Sequence, residues 1–180
     1  MKFVTKPYDE VATKIKKMMN EENGIKEIFA NKIDRLSSAC CSILVTEDSN
    51  EIGFVNIVHE CINKFLFVDL GIKEQYRGCG YSKAIMSNIK ELTNFWNEFL
   101  IAETKKSNIA ANKGLNKIGI EIFSYNDLNY YLINTNKYSE LISNEELFNS
   151  LKRHIISHKD YHSLISSMHD KEEIHVYTKK

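Results

Sequence analysis

Proline occurs once in the 180 residues, at Pro7, and glycine only seven times, with no Pro-, Ser- or Gly-rich tract and no internal repeat. A chain so poor in breakers offers no linker, and its length suits one domain. Net charge is absent too, because 24 basic residues balance 24 acidic ones. General nucleic-acid and membrane-surface binders usually carry a basic excess, so neither partner is expected. No run of about 18 apolar residues exists, which argues against a membrane-spanning helix. Met1-Lys2-Phe3-Val4-Thr5-Lys6 lacks the apolar core and cleavage site of a signal peptide, so a cytoplasmic location is expected. Cysteine is scarce: Cys40, Cys41, Cys61 and Cys79 form no C-x-x-C, which excludes the usual zinc and thioredoxin-like patterns. All four read as free thiols in a reducing compartment. Apolar residues make up 43%, enough for a sizeable core.

The most informative segment is Gln75-Tyr76-Arg77-Gly78-Cys79-Gly80. Before it, Phe65-Leu66-Phe67-Val68-Asp69-Leu70-Gly71-Ile72 is aromatic and β-branched, as strands are. After it, Tyr81, Ile85, Ile89, Leu92 and Trp96 recur at spacings of four, four, three and four, one face of a helix. A glycine-punctuated loop therefore opens a helix straight after a strand. Glycine lets the backbone approach a ligand closely. The first helical turn leaves N–H groups without partners, and its dipole adds about half a positive charge. A phosphate or pyrophosphate fits such a place. The loop lacks the third glycine of a dinucleotide fingerprint and the Lys-Ser/Thr pair of a nucleotide P-loop.

The remaining elements follow from periodicity. A short strand is expected at 2–6 and helices at 8–20 and 24–36, the first burying Val11, Ile15, Met18 and Met19, the second Ile25, Ile28, Phe29, Ile33 and Leu36. Strands 39–46 and 51–59 flank the polar insert Glu47-Asp48-Ser49-Asn50 as a hairpin. Strand 64–72 precedes the loop, helix 80–96 follows it, and Phe99–Glu103 is another strand. Residues 107–118 read as a short helix weakened by Gly114, and 120–124 and 128–133 as two closing strands. Leu141, Leu147, Phe148, Leu151, Ile155, Leu164, Ile165 and Met168 have helical spacing, so one or two appended helices are expected after residue 134.

The loop matches Q/R-x-x-G-x-G/A, the signature of the GNAT superfamily of N-acetyltransferases, at every defined position, and the element order resembles the GNAT core over 1–134. The resemblance implies an α+β fold: a twisted mixed sheet of six to seven strands flanked by helices. Residues 135–180 would form a C-terminal helical extension on the same domain, packing on the sheet, covering the acceptor site or making a homodimer contact. It further implies an acyltransferase using acetyl-CoA as co-substrate, without a metal, and a small-molecule or protein amine as acceptor. The alternative is a CoA- or acyl-CoA-binding module with little activity.

By that resemblance, main-chain N–H groups of Arg77, Gly78, Cys79, Gly80, Tyr81 and Ser82 hold the pyrophosphate, with Gln75 and Arg77 near the phosphates. The Ile72 N–H stabilises the developing oxyanion, and Leu70 and Ile72 line the acetyl pocket. Glu103, at a strand end, is the expected base for the amine, with Asp69 as runner-up, and Asn108 contacts the pantetheine arm or phosphates. Ser107 or Asn108 is also a fitting N-cap. One departure stands out. The family's usual tyrosine acid is replaced by Leu115, which donates no proton, and Ile120 replaces a phenylalanine after Gly119. Either the thiolate leaves unaided, its thiol pKa being near ~8.5, or Tyr125, Tyr130 or Tyr131 reaches in. Cys79 is expected to act chiefly through its backbone N–H, the secondary reading being that its thiol, at a helix start that favours a thiolate, can form a mixed disulfide with CoA. His154, His158 and His162 share helical spacing, with His169 and His175 nearby, and read as a part-buried helix face rather than a metal site.

Overall fold

In the computed structural model the described residues are 2–4, 8–29, 36, 39–59 and 64–157. They fall into two compact units, Met1–Tyr138 and Ser139–Lys180. The first unit runs β1 (Lys2–Val4), α1 (Tyr8–Glu21), α2 (Lys26–Phe29), β2 (Ala39–Glu47), β3 (Asn50–His59), β4 (Phe65–Ile72), α3 (Tyr81–Thr93), β5 (Phe99–Lys105), α4 (Ile109–Leu115), β6 (Ile120–Tyr125) and β7 (Leu128–Leu132). This is the element order expected from the sequence. The strands form one seven-stranded sheet in the order β1-β2-β3-β4-β5-β7-β6. Every neighbouring pair is antiparallel except β4 and β5, so the sheet is mixed.

Alternation along the strands gives the sheet two apolar faces. Val45, Val55, Ile57, Leu66, Val68, Leu100, Ala102 and Tyr131 pack with Ile85, Met86 and Ile89 of α3. On the other face Leu44 and Phe54 meet Val11, Ile15, Met18 and Met19 of α1, together with Phe29. Each of these buried α1 side chains contributes about 1.5–3 kcal/mol of apolar burial. The β2–β3 hairpin closes through Asp48 and Ser49, at φ +46° and +69°. Two consecutive positive φ values are what a two-residue type I′ turn requires to match strand twist.

Some boundaries differ from those expected. The helix after the loop ends at Thr93 rather than Trp96. The Thr93 hydroxyl donates to the Ile89 carbonyl at 2.8 Å, and the Asn94 and Trp96 N–H groups close tight turns onto Glu91 and Thr93. Leu92, placed by its spacing on the apolar face, is 58% exposed, while Trp96 packs on the α3-side core from beyond the helix. In the expected helix 24–36, Gly24 is a turn residue at φ +75°, α2 covers Lys26–Phe29, and Ile28 is exposed. Ile33 lies outside the described residues, as does Cys61. The helix expected at 107–118 spans Ile109–Leu115.

The second unit, described by itself, carries the rest of α5 (Tyr138–Ser143) and α6 at 145–157. Asn144 caps α6 by accepting the Leu147 N–H at 3.0 Å, and Lys152 lies 4.0 Å from the Phe148 ring centre.

Candidate functional site

The site starts from an interruption in the sheet. Parallel pairing of β4 with β5 runs from Phe65↔Phe99 to Val68↔Ala102 and stops. Beyond that level β4 continues to Ile72 on β3, while Glu103, Thr104 and Lys105 of β5 pair with β7. A cleft therefore separates Asp69–Ile72 from Glu103–Lys105. Ladder parity decides which backbone groups face it. The Lys73 N–H donates to the Ile52 carbonyl at 3.0 Å, which makes 52/73 a hydrogen-bonded pair. In an antiparallel ladder such pairs alternate. Asp69 and Gly71 thus turn their backbone groups to β3, and Leu70 and Ile72 turn theirs to the cleft. The Ile72 carbonyl is taken by Arg77, whose Nε donates to it at 3.1 Å. The Ile72 N–H and both Leu70 groups remain on the cleft side.

The loop after β4 carries the positive-φ glycines. Glu74–Tyr76 makes one 3₁₀ turn containing Gln75, Arg77 is extended, and Gly78 and Gly80 sit at φ +78° and +83°. Gly80 is the N-cap of α3 and offers no side chain to the helix start. The first helical bond is Ala84 N–H to the Gly80 carbonyl. The N–H groups of Tyr81, Ser82 and Lys83 precede it and have no intrahelical acceptor. A Cβ placed on Gly78 or Gly80 would meet nothing within 4 Å, so glycine is required there by backbone angle and the space beside it is open. The residues present fit a diphosphate, with amide donors from Gly78 onward, a helix start and room for the ligand; the Arg77 N–H, expected among those donors, is instead taken by the Glu74 carbonyl at 3.0 Å.

Two features around this loop had no sequence signal. The Arg77 guanidinium rests on Gly24, where an added Cβ would come within 2.4 Å of Nη1. Tyr81 donates its hydroxyl to the Glu47 carboxylate at the end of β2. That bond pushes the Tyr81 phenol up to about 12 and lowers the Glu47 carboxyl below its usual range. The first residue of α3 is thereby tied to the hairpin. Partners 34 residues apart are brought together by strand register alone.

Across the cleft, Glu103 stands opposite Tyr130 on β7, and Asp69 is buried opposite Asn56 on β3. Asn108 is the N-cap of α4, accepting the Ala111 N–H at 3.1 Å; Ser107 makes no such bond. Asn112 joins α4 to the sheet. Its Nδ2 donates to the Lys105 and Asn108 carbonyls, and its Oδ1 accepts from Asn129 Nδ2 and from the Tyr131 hydroxyl at 2.8 Å. Burial, and then Glu121 at 3.2 Å, raise the Tyr131 phenol, so it holds its proton at neutral pH. Leu115 packs on the α3-side core that contains Tyr131, whereas Tyr130 stacks on Phe123 from the next strand position, on the opposite face. Of Tyr125, Tyr130 and Tyr131, it is Tyr131 that shares a face with Leu115. Of the histidines, His154 lies on α6, and His158, His162, His169 and His175 lie outside the described residues. Among the described residues no group of three metal-ligating side chains comes together, and no helix is long and apolar enough to cross a membrane.

No family model matches the chain, and no curated protein matches its sequence. Its likeness to known proteins lies in the backbone. An IAA acetyltransferase from Bacillus cereus superposes with a TM-score of 0.54 at 13% identity, over 72% of this chain and 95% of that one. A mutant spermidine/spermine N-acetyltransferase SpeG from Vibrio cholerae gives 0.56 at 14% identity, over 77% and 96%. The ribosomal-protein-S18-alanine N-acetyltransferase from Escherichia coli gives 0.53 at 11% identity, over 72% and 90%. The chain therefore has the fold of the GNAT N-acetyltransferases, as its loop and element order led one to expect.

Proposed function

We propose that the protein is an acetyl-CoA-dependent N-acetyltransferase acting on a primary amine by direct attack in a ternary complex. The observation that carries this reading is the succession of three features from β4 into the loop. The β4–β5 pairing stops at Val68↔Ala102, the Leu70 and Ile72 backbone groups face the gap, and β4 runs on into the loop whose Gly78 and Gly80 have open space beside them. A long thioester with a diphosphate at one end has the shape of that path. The acceptors named for the similar structures, spermidine and a ribosomal-protein alanine, are both amines.

In this reading the amides of Gly78 to Ser82 hold the diphosphate, with Gln75 and Asn108 flanking it. Arg77 acts from its anchored position at the Ile72 carbonyl. The pantetheine arm adds to β4 like a short strand through Leu70. Glu103 removes a proton from the acceptor ammonium, whose pKa near ~10.4 leaves little neutral amine at pH 7. The nitrogen then bonds to the acyl carbon, the Ile72 N–H steadies the negative oxygen, the C–S bond breaks, and the nitrogen's second proton passes to solvent or to the departing thiolate. CoA departs as a thiolate, for which a full proton donor is dispensable, and Tyr131 is the protonated phenol on that face. Calorimetry with acetyl-CoA followed by thiol release against a panel of amines tests the reading. Binding with turnover on at least one amine supports it. Tight binding with no turnover on any amine, unaffected by Glu103→Gln, favours a CoA-binding module.

A further inference from the structure

A row of polar side chains crosses the sheet at the level of the cleft. Ser42 stands opposite Asn56, and Asn56 opposite Asp69. Asp69 and Glu103 are the first residues past the last β4–β5 pairing, and Glu103 stands opposite Tyr130. Leu44 and Phe54, two residues along from Ser42 and Asn56, belong to the α1-side core, which fixes the face of the row. Over β2 and β3 the level above is apolar, with Leu44 and Phe54, while Lys105 stands above Glu103 on β5; the level below is apolar throughout, with Val58, Phe67, Ile101 and Leu132. Placing a polar line between them is costly unless something satisfies it. Asn56 is 1% exposed, yet its Oδ1 has no hydrogen-bond partner, and neither does the buried Ser42 Oγ. Such atoms in a native core call for a ligand, an ion or a water.

We propose that this row is a subsite for the far end of the acceptor, and that the acceptor is a short aliphatic α,ω-diamine. The proposal rests on the acetyl-transfer reading above. The reacting nitrogen stands at the cleft, between Asp69 and Glu103. The second nitrogen, still an ammonium, donates to Asn56 Oδ1 and Ser42 Oγ, with Asp69 supplying the opposite charge. An ammonium has three donors and no acceptor, which suits a row of oxygens. Strands lie about 4.8 Å apart, so Asn56 and Ser42 stand roughly 5 and 10 Å from Asp69. Putrescine and cadaverine span that range, whereas a monoamine of the same length leaves the oxygens unmet.

The experiment uses the full chain with CoA present and compares putrescine with n-butylamine by calorimetry, in the wild type, Asn56→Leu and Ser42→Ala. One hydrogen bond to a charged group corresponds to about a tenfold preference or more. The expected result is a putrescine preference of at least about tenfold in the wild type, lost in Asn56→Leu and reduced in Ser42→Ala. Retained CoA affinity shows that each variant is folded. Equal affinity for the two amines in the wild type, or an undiminished preference in both variants, overturns the subsite. Turnover is scored separately. A diamine preference in binding without acetylation counts against the transferase and supports the subsite, while acetylation without the preference does the reverse.

Discussion

Replacing Gly80 with alanine separates the fold from the binding site, because the two costs are set by different features. At φ +83° an L-residue pays about 1–2 kcal/mol for the left-handed backbone. No contact adds to this, since nothing lies within 4 Å of the new Cβ. For a chain of this size, about 1 kcal/mol lowers the melting temperature by roughly 2–4 °C. On the proposed reading, binding is affected through the methyl group, which would occupy the open space through which an anion reaches the Tyr81, Ser82 and Lys83 amides. Loss of one charge-assisted bond costs about 1.5–3 kcal/mol, or about ten- to a hundredfold in Kd. Scanning calorimetry measures the first effect and titration with acetyl-CoA the second, both on the same protein sample. A variant that melts a few degrees lower but binds acetyl-CoA as tightly as the wild type would refute the assignment of this loop.

Further outcomes follow from single contacts. Gly114→Ala, in α4 with open space around its Cβ, is expected to stabilise the fold by about 0.5–1 kcal/mol without changing acetyl-CoA affinity. Denaturant unfolding checks this, and a loss of stability would contradict it. Glu103→Gln is expected to lower kcat by about 10²–10⁴-fold with acetyl-CoA affinity unchanged, measured by thiol release; a kcat near that of the wild type removes Glu103 as base. For Tyr81→Phe the sign follows from Glu47, whose folded pKa is depressed chiefly by the Tyr81 hydrogen bond. That contribution is present above the unfolded value of 4.5 and fades as pH falls through the lower folded value. The melting-temperature gap between wild type and Tyr81→Phe therefore narrows below pH 4.5, and a gap that widens there contradicts the pairing. Oxidised CoA is expected to modify the exposed Cys79 and not Cys41, whose thiol burial pushes up. Peptide mass spectrometry showing no adduct at Cys79 would dispose of this.

What could be read in the sequence was mostly local. The strand Phe65–Ile72, the glycines at 78 and 80 and the helix beyond them each carry their signal within a few residues, because φ above zero and period-2 alternation are local demands. The same holds for the Asp48-Ser49 turn. Asn108 was one of two caps the pattern allowed, and side-chain reach decided between them. Features that depend on register were not legible. The polar row joins Ser42, Asn56 and Asp69, each 13 or 14 residues from the next, and only the exact pairing of three strands places them together. The Tyr81–Glu47 and Arg77–Gly24 contacts are of the same kind. Leu92 misled because its spacing fits a helix face that runs past the core, where the helix is about to end.

On the proposed reading, backbone amides rather than side chains hold the diphosphate at the start of α3. Amide NMR on the isotope-labelled full chain, titrated with CoA, addresses those groups directly. The expected result is that the largest shifts fall on Gly78, Gly80, Tyr81 and Ser82, with a second set at Leu70 and Ile72 along the cleft. Saturable binding that leaves those amides unmoved, with the shifts elsewhere in the chain, would contradict it.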